Sequence, residues 1–268
     1  MDNLIPILIL SFIGSVLALI GGIIFLFHRK WAQKFICYST PFAAGVLLTV
    51  SLLGMIPEAV ELLNQTAFLI VLFSFLAAYL FEHFLFGLHH HDNQHLCNHL
   101  NQGSIPLVII GDTIHNFVDG IVIASSYLIN PGLGIITTIS TFLHEIPHEI
   151  ADFAILNAAG WNKRSIILVN LLSALATIMA ALFVLFFPID QKLNGIFLAI
   201  AGGLFLYLSA SDFLPHIDEK EINRHKMLAA LLIGVMIMLI TFKLIPHSYE
   251  VDQDQDKFIP LASEMSDK

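Results

Sequence analysis

Apolar stretches long enough to cross about 30 Å of hydrocarbon recur along this chain, and that recurrence restricts the fold more than any other feature. They fall at about 4–27, 37–56, 67–88, 105–128, 133–158, 165–187, 193–214 and 227–246. A backbone in hydrocarbon must satisfy its own hydrogen bonds, so each stretch reads as a helix. The expected fold is an all-α membrane protein with eight transmembrane helices. Composition excludes an ordinary soluble domain: 57% of the 268 residues are hydrophobic, 12% are charged, and mean hydropathy is +0.81. One transmembrane domain is expected over 1–248, followed by an acidic disordered tail over 249–268.

Lys and Arg set the orientation. Arg29, Lys30 and Lys34, then Lys163 and Arg164, then Lys220, Arg224 and Lys226 fall in one set of loops. The opposite set holds Lys192, with Lys243 at a helix end and Lys257 and Lys268 in the tail. The first set is expected to be cytoplasmic, with both termini outside the cytoplasm, in the plasma or bacterial inner membrane. Asp2 precedes the first span in place of a basic segment, so a cleaved signal peptide is not expected. Cys37 and Cys97 both fall near the cytoplasmic side, so no disulfide is expected. A net charge of −9 argues against nucleic acid as a partner; the lipid bilayer is the partner the composition implies.

The polar residues inside the apolar runs carry the chemistry. Residues 144–152 read His-Glu-Ile-Pro-His-Glu-Ile-Ala-Asp. On a helix His144, His148 and Asp152 stack at every fourth residue, and Glu145 and Glu149 form a second row beside them. Pro147 within the row should leave the Leu143 carbonyl free and kink the helix. Span four carries Asp112, His115, Asn116 and Asp119, again on one helical face. An ionisable group costs about 2.5–3.5 kcal/mol at the bilayer centre on insertion scales, so neither row can face lipid. The short turn Asn130-Pro131-Gly132 makes the two helices antiparallel neighbours at similar depth. Imidazole and carboxylate suit zinc and its divalent neighbours, and the two rows read as one shared metal site.

Two further patterns complete the reading. Gly54-Met-Ile-Pro57-Glu58 at the end of span two aligns with Asp212-Phe-Leu-Pro215-His216 at the end of span seven. These are the middle spans of two triples running in opposite directions, so helices 1–3 and 6–8 are expected to form an inverted repeat around helices 4–5. The loop at about 89–104 opens His89-His-His91-Asp-Asn-Gln-His95-Leu-Cys97-Asn-His99, a His-rich tract expected to contact metal on the cytoplasmic side. Glu82 and His83 read as an interfacial pair, Asn170 and Ser173 as glue between helices, and Asp212 and His216 either as a cytoplasmic exit or as partners of Lys220.

His115-Asn-Phe-Val-Asp119-Gly120 followed by His144-Glu-Ile-Pro-His148-Glu149 resembles the paired helix-four and helix-five signature of the ZIP (Zrt-, Irt-like) metal transporters, in the branch with His-Glu-x-Pro-His-Glu. The resemblance implies transport of zinc as substrate toward the cytosol, with iron (Fe2+), manganese (Mn2+) or cadmium (Cd2+) as further candidates. It implies metal ligands at His115, Asn116, Asp119, His144, Glu145 and His148; Glu149 joins them on the stripe, with Asp152 beyond it. It also implies a departure, because relatives of this branch carry a His just before the Pro of span two, where this chain has Gly54. A homodimer is an open candidate for the assembly.

The sharpest alternative is a membrane-embedded zinc metalloprotease, since His144-Glu145-x-x-His148 also spells two zinc ligands and a general base. Pro147 inside the motif, and the His and Asn beside Asp119, count against that enzyme. A purely structural bundle leaves the intramembrane polar rows without a purpose. The expected mechanism is alternating access, with the repeats moving against helices four and five.

Overall fold

The computed structural model describes residues 3–81, 105–187, 190–213 and 224–246, and the regular structure among them is helical. The His-rich loop, Glu82, His83, Lys220, His216 and the acidic tail lie outside the described residues. The helices are numbered here in chain order. α1 spans Leu4–Phe27 with a π-helical turn at Phe12–Val16. α2 is Arg29–Val50, continued through a π-helical turn at Ser51–Met55 into Ile56–Leu63. α3 is Thr66–Phe81, α4 Ile105–Ile129, α5 Pro131–Ala158 and α6 Lys163–Phe186. α7 is Gln191–Tyr207, prolonged by a π-helical turn at Leu208–Phe213, and α8 is Arg224–Leu244.

Six of these are long and apolar enough to cross a membrane: Leu4–Phe27, Tyr38–Leu63, Val108–Ile129, Lys163–Phe186, Gln191–Ser211 and Arg224–Leu244. Eight were expected, and the two that fall short do so for different reasons. α3 is described over only 16 residues. α5 has length to spare at 28 residues, but Glu145, Glu149 and Asp152 sit in its middle. The chain is an integral membrane protein on these helices.

Local chemistry explains several boundaries. Asn130 caps α5, its Oδ1 accepting from the backbone N–H of Gly132 at 2.8 Å and Leu133 at 3.2 Å, with Pro131 at the first position where no donor is needed. The helix runs on through Pro147 without a break in its assignment. It stops at Gly160, whose φ of +86° is open to glycine at little cost. Span two continues past the expected end at Glu58, because the π-helical turn at Ser51–Met55 widens the helix just before Pro57, where a regular turn would lose a bond.

Helix packing divides the bundle. α2 lies along α8 and α3 along α7, while α4 lies along α6 and α5 along α1; α2 and α7 also meet each other. The largest apolar core joins α2, α5 and α7 through Val46, Leu47, Val50, Met55, Ile136 and Phe205. A second core, with Leu19, Ile150, Phe153 and Ile166, sits between α1, α5 and α6. Glycines permit several close approaches: a Cβ on Gly45 would run into the Leu231 carbonyl of α8, and one on Gly203 into Ser74 Oγ and the Val71 carbonyl of α3. Ser51 Oγ donates to the Gly202 carbonyl at 2.7 Å, and Ser209 Oγ donates to the Ala44 carbonyl at 2.9 Å, stitching α2 to α7 from both sides.

Candidate metal site

α4 and α5 cross antiparallel so that Asp119 lies level with His144, His115 with His148, and Asp112 with Asp152. Seven residues of helix separate Asp112 from Asp119, a rise of about 10 Å, whereas a zinc ligand sits only about 2 Å from its ion. The polar rows therefore resolve into two groups, where one shared site was expected. His115, Asp119, His144 and Glu145 form the first and Asp112, His148 and Asp152 the second, with the ligand atoms in each within 4.8 Å of one another.

The first group is tightly drawn. His115 Nε2 lies 3.0 Å from Glu145 Oε1 and 3.3 Å from His144 Nε2, and His144 Nε2 lies 3.3 Å from Asp119 Oδ2. Asp119, His144 and Glu145 are fully buried. His144 Nδ1 is 2.9 Å from the Ser140 carbonyl, which can only accept; Nδ1 therefore carries the proton, and the Nε2 lone pair faces the group. Apart from these histidine contacts, the carboxylate oxygens of Asp119 and Glu145 have no hydrogen-bond partner. Such groups are costly to bury uncompensated, and a cation at their focus would supply the compensation.

The second group is looser. His148 Nδ1 stands 3.8 Å from Asp112 Oδ1 and 3.7 Å from Asp152 Oδ2. The His115 and His148 rings stack with centroids 4.9 Å apart and so join the two groups. Asp112 and Asp152, with Val108, Ile109, Leu156, Val169 and Asn170, also line a crevice too narrow for water, at the ends of α4 and α5 away from their turn. His144 and His148 thus fall in different groups, which does not suit a protease motif that needs both on one zinc.

The seven residues expected from the sequence are not placed alike. His115, Asp119, His144 and Glu145 converge and His148 leads the second group. Glu149 is fully buried with both carboxylate oxygens unpartnered, and it belongs to neither group. Asn116 is fully buried, but its side chain is bonded to Ser15, Thr177 and Asp112. Asp112 completes the second group though no ligand role had been assigned to it; its place on the α4 stripe was the available signal. Gly54 packs beneath the Phe242 ring, and a Cβ there would come within 3.0 Å of it. Asp212 and His216 contribute no described side chain.

A family model described as ZIP zinc transporter matches residues 4–106 and 105–242. Among curated proteins, the chain is 35% identical over 133 residues to "Zinc transporter foi" of Drosophila melanogaster, covering 50% of this chain and 18% of that protein. It is 37% identical over 109 residues to "Zinc transporter ZIP4" of Homo sapiens, covering 41% of this chain and 17% of that one. It is 37% identical over 113 residues to "Metal cation symporter ZIP8" of Rattus norvegicus, covering 42% and 24%. The matched part therefore spans less than a quarter of the length of these relatives.

Proposed function

The chain belongs to the ZIP zinc transporter family, and from that premise we propose that it carries zinc across a membrane toward the cytosol, through the two groups held between α4 and α5. One observation carries the reading: four ligand atoms, three of them from fully buried side chains, converge within 4.8 Å. Imidazole nitrogen and carboxylate oxygen are borderline-to-hard donors, suited to zinc, with iron and manganese also served. The relatives' names support zinc; "metal cation symporter" for one of them leaves room for other cations.

With the Lys- and Arg-rich loops inside, the first group lies on the outer side and the second on the inner side. Zinc would enter at His115, Asp119, His144 and Glu145, pass the stacked His115 and His148 rings, and reach Asp112, His148 and Asp152. Glu149, buried and unpartnered beside them, is the spare carboxylate of the path. The crevice lined by Asn170 would have to widen for the ion to pass onward to the cytoplasmic side. α3 and α5 complete eight spans, both termini lie outside, and the domain ends near 248.

An inverted repeat accounts for the packing. The register that sets Gly54 over Asp212 also sets Ser51 over Ser209 and Ala44 over Gly202, so the two serine hydrogen bonds are images of each other. It also sets Gly45 over Gly203, each a place where a Cβ would collide with the backbone of a neighbouring helix. A repeat of this kind gives the two similar halves that alternating access needs.

Zinc uptake into liposomes holding the full chain tests the proposal. Wild type should accumulate zinc and His144→Ala should not, at equal reconstitution. Equal uptake by both would refute the site; no uptake, with zinc-dependent cleavage of a membrane peptide, would return the protease reading.

A further inference from the structure

The polar seam between α4 and α5 does not end at the first group. Toward the α4–α5 turn it continues as hydroxyls. Asp119 meets His144, and seven residues further along each helix Ser126 meets Thr137, with their hydroxyl oxygens 3.1 Å apart. Seven residues are about 10 Å of helix, so the Ser126–Thr137 bond crosses the seam two turns beyond the first group. Between the two levels α5 presents Ser140 and Thr141. Each is three or four residues from both Thr137 and His144, and so lies on the same helical face. Ser126, Thr137, Ser140 and Thr141 are all fully buried.

Ser140 and Thr141 are not satisfied as hydroxyls in apolar helices usually are. Thr49, Thr113, Thr138 and Thr241 each donate to the carbonyl four residues back, at 2.7 to 2.9 Å. Ser140 Oγ and Thr141 Oγ1 have no hydrogen-bond partner, although Thr138 on the same helix does. The Thr141 methyl is the part turned to α1, with Cγ2 3.4 Å from where a Cβ on Gly14 would stand, so the hydroxyl is not what packs there. Ser140 is also tied to the first group, because its backbone carbonyl faces His144 Nδ1 at 2.9 Å. Burying a hydroxyl without a partner is unfavourable, and two in succession beside a metal-capable group call for a ligand. A cation leaving water needs oxygen atoms in place of its hydration shell. Neutral hydroxyls supply them and hold the ion weakly enough to let it move on.

We propose that Ser140 and Thr141 form a hydroxyl subsite that receives a divalent cation on its way to the first group, and that the Ser126–Thr137 bond closes this subsite on the outer side. This rests on the reading of the first group as the outer end of a zinc path. The subsite is neutral where the first group is anionic, so it serves entry and adds little to the zinc held at equilibrium.

Zinc uptake at subsaturating concentration, into liposomes holding the full chain, tests the subsite beside equilibrium zinc binding by the same proteins in detergent. Ser140→Ala and Thr141→Val should each slow uptake about fivefold, the effect of one lost polar contact, and leave bound zinc within twofold of wild type. Thr141→Ser keeps the hydroxyl and should restore uptake. Thiol labelling tests the closing bond. With Cys37 and Cys97 replaced by Ala, Thr141→Cys should react with a membrane-impermeant reagent from outside; zinc should slow the reaction and Thr137→Val should speed it. Uptake at the wild-type rate in both hydroxyl variants would overturn the subsite. Bound zinc lost in step with uptake would overturn it too, because the hydroxyls would then serve the shape of the first group. Labelling that Thr137→Val leaves unchanged would overturn the closing bond. Wild-type protein that neither binds nor takes up zinc would overturn the zinc-path reading and this proposal with it, whereas normal wild-type uptake with an unreactive Thr141→Cys would overturn this proposal alone.

Discussion

The contact between α2 and α7 and the contact between α4 and α5 are both deep in the protein and both contain polar side chains, yet they satisfy them in opposite ways. At α2–α7, Ser51 and Ser209 each donate to a backbone carbonyl across the interface. At α4–α5, Asp119, Glu145 and Glu149 are fully buried, and their carboxylate oxygens meet no donor beyond the histidines of the same groups. Buried polar groups in folded proteins are nearly always paired, so the first arrangement is how polar groups hold helices together. The second leaves buried carboxylates that a bound cation would complete.

The contrast can be broken from the packed side first, where the largest effect is expected. Gly203→Leu would drive a side chain into the Val71 carbonyl and the Phe75 backbone of α3, atoms that cannot step aside. Overpacking of a well-filled core costs about 1–3 kcal/mol even where side chains can yield, so a backbone collision should exceed that. The variant should yield no monodisperse peak on size-exclusion chromatography. A well-folded Gly203→Leu would mean that α3 and α7 are not held as closely as described.

On the unpaired side the sign should reverse. Glu149→Met replaces a fully buried carboxylate that has no hydrogen-bond partner by an apolar side chain of similar length. Relief of an unpaired buried group is worth about 1–3 kcal/mol, so the metal-free variant should melt higher than wild type. At a scale of about 2–4 °C per kcal/mol, the rise should be several degrees, readable by thermal scanning in detergent with a chelator present. Zinc affinity should fall about tenfold, as when one group supporting a metal centre is lost. A lower melting temperature without metal would show that Glu149 has a structural partner, and its place on the path would be lost.

What the sequence made legible follows from how far each signal reaches along the chain. The stripes on α4 and α5 were readable because residues four apart share a helical face, and their meeting was readable from the turn at Asn130-Pro131-Gly132. The division into two groups was not, because it depends on the register of one helix against another: Asp119 meets His144 while Asp112 meets Asp152. Six of the eight expected spans have the length and apolarity to cross, and α5 falls short on account of the very residues that mark the site. The π-helical turns at Phe12–Val16 and Ser51–Met55 left no trace in hydrophobic pattern, which reports burial and not the winding of the backbone. Ser15 was passed over for that reason. A serine in an apolar helix reads as small and neutral until its hydroxyl is seen to reach Asn116.

The smallest expected effect is the most exacting test of the packed region. Ser51→Ala and Ser209→Ala each remove one buried hydroxyl and leave one carbonyl, on Gly202 or Ala44, without that donor. Each carbonyl still accepts within its own helix, so the loss should be near the ordinary value of one hydrogen bond, about 1 kcal/mol. That corresponds to a fall of about 2–4 °C in melting temperature. If helices 1–3 and 6–8 are an inverted repeat, the two serines occupy equivalent positions, and the two falls should agree to within about 0.5 kcal/mol; sites with no shared partner should also add in the double variant. Zinc binding should be unchanged in all three proteins, because neither serine touches α4 or the metal-capable residues of α5. A loss of zinc affinity in Ser51→Ala or Ser209→Ala would mean that the α2–α7 stitches set the geometry of the path as well as the fold, and the line between paired and unpaired polar groups would no longer separate structure from transport.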